Sequence, residues 1–174
     1  MNQDVSTWEE LKKGNQDQFE KLYYEMFDIL YNYGLRIIND RSVVEDAIQD
    51  VFLNIWKKRK NLNITTSVNN YLFTCLRREI LSELKRSKSE SLDAQPHLSL
   101  RLASPEPNHT NDTQRSIQSE INKLPNRQKE IIYLKYKENM TYEEIEQIMN
   151  INRNSSYKLL HKAIHKLKEL VRKK

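Results

Sequence analysis

Apolar residues recur at helical spacing along most of the chain, and the breaks in that spacing divide it into segments. The sharpest stripe is Val44, Ala47, Ile48, Val51, Phe52 and Ile55, whose steps of three and four residues keep one helix face continuously apolar. Cations from Lys57 to Lys60 close it, as suits the negative end of a helix dipole. Before it, Phe19, Leu22, Tyr23, Met26, Phe27, Leu30, Gly34 and Ile37 follow the same period until Asn39 and Asp40 interrupt. Asp17 with Glu20 marks the start of that helix. Ser6 with Glu9 forms a capping-box pattern for a shorter first helix, with Gly14 as its stop. A further segment places Val68, Tyr71, Leu72, Cys75, Leu76, Ile80 and Leu84 on one side.

The pattern then stops. From Ser87 to about Ser116 the chain holds Pro96, Pro105 and Pro107 among Ser, Asn, Asp and Thr, with little period; this is linker composition. Periodicity resumes at Ile117, Ile121 and Leu124, passes Pro125, and continues through Ile131, Ile132 and Leu134. Thr141 is placed to cap a short helix carrying Ile145, Ile148 and Met149. Leu160, Ala163, Ile164, Leu167, Leu170 and Val171 give the last helix its apolar face. The expected fold is all-α, with two small helical domains at 1–88 and 117–174 joined by a linker at 89–116.

Composition supports this reading. Only two glycines and four prolines occur in 174 residues, few for a sheet-rich fold that needs many tight turns. Cys75 is the only cysteine, which excludes a disulfide framework and a cysteine-based metal site. No apolar run reaches membrane-spanning length and Met1–Gly14 lacks a signal-peptide core, so a cytoplasmic protein without membrane insertion is expected. Charge changes the picture more. Residues 152–174 hold eight Lys or Arg against Glu169 alone, while the whole chain is only +5; the remainder is therefore net acidic. A polyanion, nucleic acid ahead of anionic lipid, is the partner such a surface implies.

That basic segment opens on a helix-turn-helix pattern. Asn150 can take the left-handed conformation the turn needs, Ile151 can plug the space between the helices, and Asn152 is a good N-cap. In this geometry the second helix lies in the major groove with its first turn toward the bases. Arg153, Asn154, Ser155 and Ser156 there offer donors and acceptors without a single acid, and Lys158 and Lys162 follow for the phosphate backbone. Helical hairpins that bind protein show similar spacing, so the hairpin alone leaves both readings open.

Several stretches, in order, resemble the extracytoplasmic-function (ECF) sigma factors of the sigma-70 family. LKKGNQDQFEKLYYEMF (Leu11–Phe27) is similar to the family's opening helix turn. VEDAIQDVFLNIWKKR (Val44–Arg59) is similar to its polymerase-binding helix, and NYLFTCLRREILSELKR (Asn70–Arg86) to its promoter-melting segment. INKLPNRQKEIIYLKYKENMTYEEI (Ile121–Ile145) carries the Leu-Pro-x-x-x-(R/K)-x-(I/V/F) opening of the fourth conserved region. The resemblance implies an N-terminal domain that docks on the clamp helices of core RNA polymerase and opens the minus-10 element. It implies a C-terminal domain that binds the minus-35 element of promoter DNA and the polymerase flap. It also implies an anti-sigma partner, and no cofactor.

Within that resemblance, Asp46, Gln49, Asp50, Leu53 and Trp56 are the polymerase-binding candidates, apolar anchors beside carboxylates that set register. Asn69, Asn70, Tyr71, Arg77, Arg78, Lys85 and Arg86 are the minus-10 candidates, since opened strands are held by aromatic stacking and by amide or guanidinium hydrogen bonds. His161 joins Arg153, Asn154, Ser155, Ser156, Lys158 and Lys162 as a minus-35 candidate. The chain departs from the family pattern at Arg78 and Ser82, at Glu146 where a small residue is usual, and at Ser155-Ser156 where a Thr-Val pair is usual. The serine pair argues for a distinct recognised sequence.

Three rival classes compete with this reading. Gly14 and Gly34 alone cannot build a phosphate-cradling loop, and no nucleophile elbow or metalloprotease signature occurs, so no enzyme is expected. His161, His165 and Glu169 share a helix side that could in principle hold zinc, but they flank the apolar stripe of a DNA-facing helix, and no metal is expected. A helix-turn-helix regulator without sigma activity would need neither Val44–Arg59 nor the long linker. A pure adaptor bundle would leave the basic helix unexplained.

Overall fold

The computed structural model describes residues 3–62, 64, 67–90 and 112–172, all helix, turn or coil with no strand among them. The chain divides into two units, Met1–Leu100 and Arg101–Lys174. The first holds α1 (Gln3–Lys13), α2 (Gln16–Ile37), α3 (Arg41–Lys58) and α4 (Val68–Glu90). The second holds α5 (Asp112–Asn122), α6 (Asn126–Ile132), a π-helical turn (Tyr133–Lys137), α7 (Tyr142–Met149) and α8 (Arg153–Arg172). Helix therefore extends into both ends of the expected linker, whose centre, 91–111, lies outside the described residues.

In the N-terminal unit α2, α3 and α4 pack on one another and α1 packs on α2. The α3 stripe is buried as its spacing predicts, from Val44 through Ile55. Leu30 and Tyr33 meet Ile48, Leu72, Phe73, Leu76 and Ile80 in a core with almost no exposed surface. Gly34 sets how close α2 comes to α3: a Cβ there would lie 2.6 Å from Val44 Cγ1. Gly14 ends α1 at φ +86°, a conformation open to glycine at little cost.

Two helix starts differ from expectation. α1 begins at Gln3, so Ser6 lies inside it rather than capping it. α2 is capped by Asn15, whose side chain accepts from the Gln18 N–H at 3.2 Å; Asp17 instead supplies first-turn charge. The α4 stripe is also wider than its spacing implied. Phe73 and Asn70 are buried beside Leu72 and Leu76, because α4 packs on both α2 and α3 and is covered over more than one face.

In the C-terminal unit α8 receives α5, α6 and α7. Leu124, Ile131, Leu134, Ile145, Ile148, Met149, Leu160 and Ala163 form its core. The buried Glu120 carboxylate is paired with Lys123 at 2.8 Å, which offsets the desolvation of the charge. The last part of α8 runs beyond this core, and Val171 is exposed.

Candidate nucleic-acid and protein interfaces

The helix-turn-helix is assembled by side chains of the expected types. Thr141 and Glu144 form a complete capping box at the start of α7. Asn150 ends α7 in the left-handed region, φ 49° and ψ 56°, which short polar side chains tolerate better than bulky ones. Asn152 Oδ1 accepts from the Ser155 N–H at 2.8 Å, capping α8 with a neutral group. Ile151 is half-buried between the two helices.

Arg153, Asn154 and Ser155 are exposed on the first turn of α8, and Lys158, His161 and Lys162 continue the exposed surface. Tyr157, Lys158, His161 and Lys162 line one shallow, open depression. Ser156 is a correction to the expected reading set. It is 0% exposed and its hydroxyl donates to the Arg153 carbonyl at 2.7 Å. The reason is periodic: 156, 160 and 163 lie on one helix side, and Leu160 and Ala163 are buried with it.

Four residues of this surface were not singled out from the sequence. Tyr157 stands exposed one turn after Arg153. Its ring lies on that of Tyr142, centroids 4.1 Å apart and tilted by 35°. Glu143 reaches Arg153 from α7, Oε1 to Nη1 3.2 Å. The neighbouring Tyr157 hydroxyl first, and then the Glu143 charge, push the Arg153 pKa further above its ordinary value. Spacing of four residues was the available signal for Tyr157; nothing local announces the α7-to-α8 contact of Glu143. The π-helical turn adds Lys135, whose Nζ donates to Met140 O at 3.0 Å and lies 4.8 Å from the Tyr142 ring centroid. His165 Nδ1 is 3.6 Å from Glu169, and no group of three metal-ligating side chains occurs among the described residues.

On α3, Asp46, Gln49, Asp50 and Leu53 are all exposed, Leu53 by 52%. Their spacing places them on one face, opposite the buried stripe. Trp56 sits at the edge of this face and is half-buried. Its ring contacts Phe19 of α2, centroids 4.8 Å apart, and the Arg59 guanidinium 4.1 Å from its centroid. Arg59 Nη1 also donates to the Trp56 carbonyl at 2.6 Å. The indole is thus held by packing on one neighbour and by a cation on another. The sequence stripe assigned Phe19 to the core; it is half-buried and supports Trp56.

On α4, helical spacing aligns Tyr71, Arg78 and Lys85, with Arg77 and Arg86 on either side. Arg78, Lys85 and Arg86 are exposed and Arg77 is half-buried; Arg86 pairs with Glu83 at 2.7 Å. Tyr71 is half-buried, its ring centroid 6.5 Å from that of Trp8. Burial, and then the adjacent Cys75, push its phenol up to about 12. Asn69 is exposed but stands apart on the first turn. Asn70 is a second correction: it is 3% exposed, its N–H donates to Ser67 Oγ and its carbonyl accepts from Thr74. Its side chain therefore belongs to the core and not to an outer face.

The fold and surfaces define a two-unit helical protein, one unit ending in a basic helix-turn-helix and the other presenting an acidic and apolar helix face. Residues 22–90 match the family model for sigma-70 region 2 and residues 114–167 that for sigma-70 region 4. RNA polymerase sigma factor SigZ of Bacillus subtilis (strain 168) is 24% identical over 152 residues, 87% of this chain and 86% of its own. ECF RNA polymerase sigma factor SigM of the same organism is 22% identical, covering 87% and 93%. Among solved structures, sigma factor RpoE in complex with the anti-sigma factor NepR from Bartonella quintana shares the fold. Its TM-score is 0.73 at 21% identity over 88% of this chain and 96% of that one. CnrH in complex with the cytosolic domain of CnrY gives a TM-score of 0.68 at 17% identity, over 98% and 97%. The chain belongs to the sigma-70 family, in its ECF group, and acts in promoter-specific transcription initiation.

Proposed function

We propose that α8 reads the minus-35 element, that the exposed face of α3 docks on core RNA polymerase, and that α4 receives the opened minus-10 strand. The observation that carries this reading is the start of α8. Asn152 caps it with a neutral side chain, Arg153, Asn154 and Ser155 stand exposed, and its first turn holds no acid. A helix dipole left open in this way attracts phosphate, while the exposed side chains supply base-edge donors and acceptors. Lys158, His161 and Lys162 extend the contact. On α4 the binding line is Tyr71, Arg78 and Lys85 with Arg77 and Arg86, and Asn69 contributes from the first turn. On α3 it is Leu53 and Trp56 among Asp46, Gln49 and Asp50.

In this reading the protein works by binding, as the family's members are initiation factors and not enzymes, and domain boundaries at 1–88 and 117–174 bracket the two activities. An anti-sigma protein competing for these surfaces is the expected regulator, since a neighbour of this fold is a sigma factor in complex with one. No described helix is long and apolar enough to cross a membrane, and action in the cytoplasm follows from the proposed partners. The test is transcription with purified core polymerase on a promoter library. Specific initiation that depends on this chain supports the reading. Promoter binding without initiation would sink it in favour of a regulator that lacks sigma activity.

A further inference from the structure

Glu143 stands in the first turn of α7, where the capping box is already complete without it, Thr141 and Glu144 exchanging both bonds. Its carboxylate instead crosses the turn to Arg153, 3.2 Å away at the head of α8. Tyr157, one turn further along α8, has its ring pinned on Tyr142 of α7. A solvent-exposed acid at this place is unfavourable for a surface that approaches phosphate, because like charges close together are repelled. The α7 dipole favours an acid in this turn, and its ion-pair partner among the described residues is the first cation of the recognition helix.

We propose that Glu143 is a specificity-determining residue, an internal counter-ion that orients the Arg153 fork and withholds it from backbone phosphate; the proposal rests on the DNA-reading role of α8. A guanidinium has five donors. With only Nη1 turned to Glu143, an edge stays free for the paired acceptors of guanine O6 and N7. A phosphate gains Arg153 only by displacing the carboxylate, which exchanges one exposed ion pair for another at little net gain. The pair thus removes about one phosphate contact from non-specific binding and leaves the base contact in place.

The test uses holoenzyme reconstituted with core polymerase and two duplexes, one selected by the wild-type holoenzyme from a random pool and one scrambled. Glu143→Gln should raise affinity for the scrambled duplex about two- to fivefold, the size expected of one exposed ion pair. It should also steepen the slope against log salt by about 0.9, one phosphate's worth, so that the specificity ratio falls. Glu143→Asp keeps the charge at the helix start but is too short to brace Arg153, and should lose specificity in the same way while melting like the parent. An unchanged ratio in either variant overturns the proposal. So does a Glu143→Gln effect that persists when Arg153 is already alanine, since the carboxylate would then act on DNA directly. If Arg153→Ala alone leaves promoter selection untouched, the DNA-reading role of this turn of α8 fails as well, a separate outcome from loss of the Glu143 effect alone.

Discussion

Ser156 donates its hydroxyl to the backbone oxygen of Arg153 at 2.7 Å, and none of its surface reaches solvent. The bond runs back to the preceding turn, a local arrangement that serine readily makes in helices. Ser156→Ala should therefore leave promoter choice unchanged and cost about 0.5–1.5 kcal/mol of stability, the usual net worth of such a bond. Ser155→Ala, by contrast, alters an exposed side chain and should change sequence preference with little effect on stability. Thermal melting combined with selection from a random duplex pool separates the two. A shift in base preference for Ser156→Ala would show that it reads DNA through a rearranged α8.

Local signals in this chain were largely legible, apart from the starts of α1 and α2, and the side chains whose burial or contacts were missed share one cause. The Thr141 capping box, the left-handed Asn150 and the Asn152 cap each depend on neighbours within a few residues, and each is present. Ser156 and Asn70 looked like surface groups because they are polar, yet the packing of their helices buries both. For Ser156 the period of Leu160 and Ala163 was a usable clue; for Asn70 the added coverage of α4 was not visible in one stripe. The Glu143–Arg153 and Phe19–Trp56 contacts join residues from different helices, so no spacing rule within one helix could find them.

Leu53 offers the cleanest probe of the polymerase-facing surface, because it is an apolar side chain 52% exposed on α3 whose loss leaves no cavity. Leu53→Asp should change stability by no more than about 0.5 kcal/mol, as for surface changes generally. It should weaken core polymerase binding by about 2 kcal/mol or more if Leu53 anchors the interface. Trp56→Ala should weaken binding too, but with a stability loss, since the ring packs on Phe19 and Arg59. Titration of core polymerase with fluorescently labelled protein measures both, and unaltered affinity for Leu53→Asp would move the interface elsewhere.

Lys162 is exposed on α8 beside Tyr157, Lys158 and His161. A phosphate contact carries no base information, so its removal weakens all sequences alike. Lys162→Ala should lower affinity for promoter and scrambled duplexes by similar factors and reduce the salt slope by about 0.9. Arg153→Ala should instead cost about 1–3 kcal/mol at the preferred site and relax one position. Holoenzyme binding across a salt series distinguishes the two patterns, and a sequence-selective loss for Lys162→Ala would assign it to base reading.

Gly34 tests the α2–α3 packing. Alanine in a helix interior is favoured over glycine by about 1 kcal/mol, which would make Gly34→Ala stabilising if space allowed. The new Cβ would lie 2.6 Å from Val44 Cγ1, 3.1 Å from Cγ2 and 3.3 Å from Ile80 Cδ1, all within a packed core. Overpacking of this kind costs about 1–3 kcal/mol and should outweigh the propensity gain. Adding Val44→Ala should recover part of the loss by removing both γ-methyls, a coupling that a double-mutant cycle in urea would detect.

Tyr71 should make stability fall at alkaline pH. Burial, and then Cys75, push its phenol up to about 12, against an ordinary value of 10.0. The folded state therefore favours the neutral phenol, and the unfolded chain releases the proton first. The stabilising contribution is fully present below pH 10 and is lost as pH rises through 10 to about 12. Tyr71→Phe keeps the ring and removes the proton, so its unfolding midpoint should decline less than that of the parent over this interval. Lysine titration is common to both proteins and cancels in the comparison. Urea unfolding at pH 9 and pH 11 provides the measurement, and equal pH dependence of the two proteins would show that the Tyr71 hydroxyl ionises as freely in the folded chain as in the unfolded one.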